Sequence, residues 1–131
     1  MRNTYDREDA MEAGNRLKGK VAIVSGGASG IGAETARVFA AQGAAVVACD
    51  VNTALGEAVV AEIKAAGGEA TGISANLQKK ESREELVAAA LDAYGQVDIL
   101  VNNAAILVPG ATIEFEERYF DRMFEILVKA P

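Results

Sequence analysis

The sequence predicts an α/β fold built on a parallel sheet. Three observations carry that expectation. Short apolar runs, rich in β-branched residues and too short for helices, recur at 21–25, 45–49, 70–74 and 97–101. Stretches of helical period separate them. Glycines stand where those stretches end, as left-handed helix terminators would. Strand–helix alternation of this kind belongs to a sheet covered on both faces, which is why its strands read as unbroken apolar runs.

The elements follow in order. Residues 1–17 show no period and read as a flexible leader, leaving 18–131 as one domain. The first strand, "VAIVS" at Val21–Ser25, enters a glycine loop and then the helical run "AETARVFAAQG", which ends at Gly43. "AVVAC" follows as the second strand. Leu55, Val59 and Ile63 then share one helical face, closed by Gly67 and Gly68. After "ATGIS", Leu86, Ala90 and Ala93 share a face with Val87, Leu91 and Tyr94 beside it, closed by Gly95. "VDILV" is the fourth strand. A last helix is expected from Thr112 or Ile113, with Phe120, Met123, Phe124, Leu127 and Val128 as an apolar stripe. Each crossover should be right-handed.

The loop "SGGASGIG" at 25–32 holds four glycines in eight residues. Ordering them is costly. A helix N-terminus presents unpaired N–H groups and partial positive charge, and glycines let a diphosphate approach without a Cβ in the way. The spacing Gly26-x3-Gly30-x-Gly32 is neither G-x-G-x-x-G nor a P-loop. The bland alternative is a glycine-rich βα turn with no ligand.

Asp50 ends the second strand, eighteen residues after Gly32. A carboxylate there accepts from an adenosine ribose hydroxyl and repels a 2′-phosphate. No Arg or Lys lies in the loop or directly after Asp50, so NAD is favoured over NADP. The alternative for Asp50 is an Asx turn or the cap of the next helix. "ANLQ" at 75–78 and "NNAAI" at 102–106 follow the third and fourth strands, at the carboxyl ends where parallel sheets bind ligands.

With these motifs in this order, the chain resembles the N-terminal half of a short-chain dehydrogenase/reductase. "SGGASGIG" is similar to that family's TGxxxGIG loop, with Ser25 in place of Thr; "YGQVDILVNNAA" is similar to its NNAG strand, and "DRMFEILVKAP" to the helix that follows. The resemblance spans Leu17 to Pro131. It implies a Rossmann-like three-layer sandwich with strand order 3-2-1-4, truncated after the fourth strand and the following helix. It also implies roles. Gly26, Ser29, Gly30, Ile31 and Gly32 take the diphosphate, and Asp50 the ribose. Asn76 and Leu77 take adenine, although the family usually has Asp at position 76. Asn103, Ala104 and Ala105 lie beside the nicotinamide ribose, with Ala105 replacing the usual Gly. The implied activity is hydride transfer between NAD(H) and an alcohol or ketone.

The family's Tyr-x-x-x-Lys pair is absent: Tyr5, Tyr94 and Tyr119 are followed at that spacing by Asp9, Asp98 and Met123. Where the family carries an Asn in the last helix, Leu127 stands, and it reads as core packing. No catalytic residue is therefore assigned, and this chain alone is expected to bind cofactor without turnover. The alternative is a non-catalytic nucleotide-binding or oligomerising fragment.

Other classes are disfavoured. Thirteen basic against nineteen acidic residues, a net charge of −6, suit neither nucleic acid nor an anionic membrane. Cys49 is the only cysteine and histidine is absent, so no metal site and no Ser-His or Cys-His pair is expected. Cys49 itself reads as core. Glu114, Glu116 and Glu117 read as acids drawn to a helix start. No secretory signal and no apolar run near ~20 residues is present, so the expected location is cytoplasmic. The fourth strand as an exposed edge and the uncovered stripe of the last helix predict a homo-oligomer.

Overall fold

The computed structural model describes residues 14–131. The order is β1 (Val21–Ser25), α1 (Gly30–Ala41), β2 (Ala45–Asp50), α2 (Thr53–Ala65), β3 (Glu69–Ser74), α3 (Lys80–Tyr94), β4 (Ile99–Val101) and α4 (Glu117–Phe124). A 3₁₀ turn at Thr112–Glu114 precedes α4, and a π-helical turn at Glu125–Lys129 extends it. All strand pairs are parallel, in the order β3-β2-β1-β4. This is the expected Rossmann-like α/β arrangement.

Two cores flank the sheet because successive strand residues face opposite sides. Val24 and Val46 pack with Ala33, Ala36 and Ala40 of α1 and Val59 and Ile63 of α2. Ile23, Val47 and Cys49 pack with Leu86 and Ala90 of α3 on the other face. Aromatic side chains are scarce in both, and alanines let α1 lie close to the strands. The helices end as expected: Gly43, Gly67 and Gly95 have φ of +93°, +85° and +75°.

Several local expectations are corrected. β4 begins at Ile99, not Val97, because Asp98 intervenes: its N–H donates to the Val21 carbonyl (2.9 Å) while its carboxylate accepts from the Val21 N–H (2.8 Å). The Gln96 amide and Lys20 ammonium also face that carboxylate, at 2.8 and 3.6 Å. The Val21 hydrogen bond above all holds its pKa below the usual carboxylate value. On α2 the buried face is Gly56, Val59 and Ile63, and Leu55 is exposed. On α3 it is Leu86 and Ala90, continued by half-buried Tyr94, whose hydroxyl bonds Thr71 Oγ1 at 2.8 Å; Ala93, Val87 and Leu91 face outward.

The last helix starts at Glu117 rather than Thr112, because Phe115 and Glu116 take extended backbone after the 3₁₀ turn. Its expected stripe is also rotated. Tyr119, Met123, Ile126 and Ala130 are half-buried, whereas Phe120, Phe124, Leu127 and Val128 are exposed, Leu127 to 47%. Leu127 is therefore not core. The leader lies outside the described residues as far as residue 13. Gly14 and Leu17 donate to the Ala41 and Gln42 carbonyls, which fastens that end to the last turn of α1. No described helix is long and apolar enough to cross a membrane.

Candidate functional site

The loops leaving the carboxyl ends of all four strands border one cleft of about 570 Å³, within the range of small-molecule sites. Gly26, Ser29, Asp50, Asn76, Leu77, Asn103, Ala104 and Ala105 all line it. The other expected residues, Gly30, Ile31 and Gly32, form the first turn of α1 beside it. Ile31 is 79% exposed and a Cβ on Gly30 would meet nothing within 4 Å, so this turn is open to an approaching group.

The glycines are needed for different reasons. Gly26 and Gly30 have φ of +67° and +53°, the left-handed region that side chains resist. Gly32 has no such φ. A Cβ there would fall on the Gly26 carbonyl and lie 2.6 Å from Asn103 Nδ2. The start of α1 is also uncapped: Ser29 makes no side-chain capping bond, and no acid lies in the first turn. By contrast, Asn52 caps α2 by accepting from the Leu55 N–H at 3.1 Å. The partial positive charge of α1 is thus unopposed by its own side chains.

Ser25 braces the loop from beneath. It is 4% exposed, and its Oγ donates to the Val101 carbonyl (3.1 Å) and accepts from the Asn103 and Ala104 N–H groups (3.0 Å each). Asn103 Nδ2 returns a bond to the Ser25 carbonyl (3.0 Å) and a longer one to Gly26 (3.4 Å). Sequence reasoning missed this role for Ser25. The signals were a hydroxyl ending an apolar strand and its standing where the similar loop has Thr.

Asp50 does more than one thing. Its Oδ1 accepts from the Asn52 N–H (3.0 Å), forming an Asx turn, and its Oδ2 accepts from Ala28 N–H in the glycine loop (3.2 Å). The cap of α2 is Asn52, not Asp50. Behind it, Cys49 is buried, and burial followed by the neighbouring Asp50 charge pushes its thiol up to about 11. The loop after β3 is fixed by Ser82, which accepts from the Asn76 N–H at 3.0 Å, and by Arg83, which donates to the Leu77 carbonyl at 2.6 Å.

A second charge was also missed. Arg122, from α4, lines the cleft, and it and Asp50 are the charged side chains among its described lining. Arg122 stands far from the loop in sequence and is delivered to it by tertiary packing. Neither Tyr94 nor Tyr119 lines the cleft.

Comparison with known proteins agrees with this geometry. The family model described as short chain dehydrogenase matches residues 20–131. A 2,5-dichloro-2,5-cyclohexadiene-1,4-diol dehydrogenase of Sphingobium indicum is 48% identical over 103 residues, 79% of this chain and 40% of that protein. Tropinone reductase-like 1 of Erythroxylum coca is 40% identical over 115 residues, 85% of this chain and 41% of that one. A solved Serratia marcescens short-chain dehydrogenase/reductase mutant superposes with a TM-score of 0.83 at 37% identity, over 87% of this chain and 47% of its own. A metagenomic short-chain oxidoreductase in complex with NADP gives 0.83 at 35%, over 88% and 52%. The chain thus spans less than half the length of these two curated relatives. The sheet order, the glycine loop and the matched residues together establish that the chain belongs to the short-chain dehydrogenase family.

Proposed function

We propose that the cleft binds a nicotinamide dinucleotide, NAD in preference to NADP, as the cofactor site of an oxidoreductase acting on an alcohol or ketone. One observation carries this reading: a single cleft gathers an uncapped, glycine-opened helix start and the Asp50 carboxylate. Gly26, Ser29, Gly30, Ile31 and Gly32 would hold the diphosphate. Asp50 would hold the adenosine ribose, Asn76 and Leu77 the adenine, and Asn103, Ala104 and Ala105 the nicotinamide side. The helix start fits a diphosphate, since Gly30 faces open space with nothing within 4 Å of a Cβ and Ser29 leaves the first turn uncapped. When bound, the nicotinamide supplies or takes up hydride. The chain's own residues bind and orient it. With no Tyr-x-x-x-Lys in the sequence, we assign cofactor binding but no proton transfer to these residues.

Arg122 favours a second reading, NADP, because a cation in the cleft can partner an added phosphate. Calorimetric titration with NAD, NADH and NADP separates the two. Saturable NAD binding, weaker for NADP, is expected. Asp50→Ala should weaken NAD about tenfold or more, the scale of a lost hydrogen bond to a charged acceptor. Asp50→Asn is the necessary companion, because Asp50 also supports Ala28 and Asn52. Tighter NADP binding, lost in Arg122→Ala, would reverse the preference. No binding by folded protein would sink the cofactor reading.

We also propose a homo-oligomer. β4 is a sheet edge with Leu100 56% exposed, and Phe120 and Phe124 stack on the outer face of α4 with ring centroids 6.0 Å apart.

A further inference from the structure

The two charged side chains of the cleft, Asp50 and Arg122, are held in opposite ways. Each Asp50 oxygen accepts from a backbone N–H, Ala28 at 3.2 Å and Asn52 at 3.0 Å. Arg122 makes no hydrogen bond or ion pair with any described residue, Asp50 included. Other arginines are engaged: Arg37 with Glu34 and Glu62, Arg118 with Glu116, and Arg83 with the Leu77 carbonyl. Glu125 stands three residues beyond Arg122, a spacing at which a helical arginine meets a carboxylate. It pairs instead with Lys129 at 2.6 Å. Arg122 and Ile126, one turn apart, both line the cleft, so this face of α4 is turned to it.

A dinucleotide diphosphate carries two negative charges. The start of α1 offers it about half a positive charge, the usual value for a helix N-terminus. Residues 25–32 contain no Lys or Arg to add to that. Among the described lining, Arg122 is the one cation that can supply the balance. A guanidinium also presents paired N–H donors that match two phosphate oxygens. An added 2′-phosphate is the poorer match. It would stand at Asp50, beside a carboxylate that repels it, and Arg122 makes no ion pair with that carboxylate.

We infer that Arg122 binds the diphosphate of the dinucleotide from α4, while the start of α1 holds it from the glycine loop. The inference rests on the proposed reading of the cleft as a nicotinamide dinucleotide site. It gives Arg122 to the group that NAD and NADP share, not to the phosphate that distinguishes them. The ligand then links α4 to the loop after β1.

The test is calorimetric titration of the full chain with NAD and with NADP, at low and high salt, for the wild type, Arg122→Gln and Arg122→Lys. Arg122 is exposed and makes no described bond, so both variants should melt with the wild type. Arg122→Gln should weaken NAD and NADP by the same factor, about tenfold, the scale of a hydrogen bond to a charged group. Arg122→Lys keeps the charge without the paired donors and should lose less. Salt should weaken NAD binding more in the wild type than in Arg122→Gln, because screening acts on the charge that the variant lacks. A folded Arg122→Gln that binds NAD as tightly as the wild type overturns the inference and leaves the cofactor site standing. An equal salt dependence in the two proteins does the same, as does a loss confined to NADP, which gives Arg122 to the added phosphate. Failure of the wild type to bind either dinucleotide overturns the site reading and this inference with it.

Discussion

Ser25 and Asn103, 78 positions apart in the chain, are joined by two hydrogen bonds of 3.0 Å: the Asn103 N–H donates to Ser25 Oγ, and Asn103 Nδ2 donates to the Ser25 carbonyl. Removing the hydroxyl strands the Asn103 and Ala104 N–H groups and the Val101 carbonyl in a buried place. Ser25→Ala is therefore expected to lose about 1–3 kcal/mol, read by denaturant unfolding. Ser25→Thr, which keeps the hydroxyl, should recover most of it. A Ser25→Ala protein as stable as the wild type would remove the brace from consideration.

The loop glycines should separate cleanly. Gly32→Ala drives a methyl into the Gly26 carbonyl, which is backbone and cannot swing aside. It should cost about 3 kcal/mol or more, the upper end for overpacking. Gly30→Ala meets open space and suffers only from its φ of +53°, about 1 kcal/mol. Thermal melts of the two variants check the order, and equal losses would contradict it.

Asp98 sets an acid limit. Its folded pKa lies below the ordinary carboxylate value, chiefly through the Val21 N–H bond. Its contribution is therefore complete above about pH 4 and is lost as pH falls through the lowered value. Asp98→Asn should be less stable than the wild type at neutral pH, and the gap should close on acidification. Unfolding curves from pH 7 down to pH 2 would show this; a gap that stays constant contradicts it.

Cys49 should resist alkylation. With its thiol pushed up to about 11 and buried, the native protein holds almost no thiolate at pH 8. Denaturant restores an ordinary value near 8.5 and full reactivity. Because the folded value is raised, any stability this thiol contributes is present below about pH 8.5 and declines toward pH 11. Rapid labelling of folded protein at pH 8 would show that the strand opens locally.

Self-association should weaken when a charge is placed on the outer surface of β4 or α4. Leu100→Lys and Phe124→Glu both alter exposed positions, 56% and 40%, so the fold should survive. Light scattering across a concentration series is the measure. A wild type that stays monomeric throughout removes the proposal.

What was legible in the sequence followed local rules. β1 was read at its true bounds because an apolar run met glycines. The αL glycines at 43, 67 and 95 were read because each followed a periodic stretch. Misreadings came where distant residues decide. Asp98 took the partner that would have extended β4, and its capture of Val21 joins positions 77 apart. The stripe on α4 was read from period alone, yet which face packs depends on where the connection from β4 delivers the helix. Arg122 reached the cleft by that same route. Asp50 was placed correctly at the end of β2, but its grip on Ala28 required knowing that the loop folds back over the strand.

The brace between Ser25 and Asn103 also has a consequence for synthesis. A nascent chain that has released only β1, α1 and β2 possesses every loop glycine. It lacks the Asn103 amide and the backbone partners of Ser25. The loop can acquire its final shape only after residue 104 has left the ribosome and β4 has closed that long connection, a step whose entropy is charged late. Cofactor added during translation should thus find no formed diphosphate cradle on early intermediates, and ribosome-stalled chains shorter than this point should remain open to proteases at the glycines.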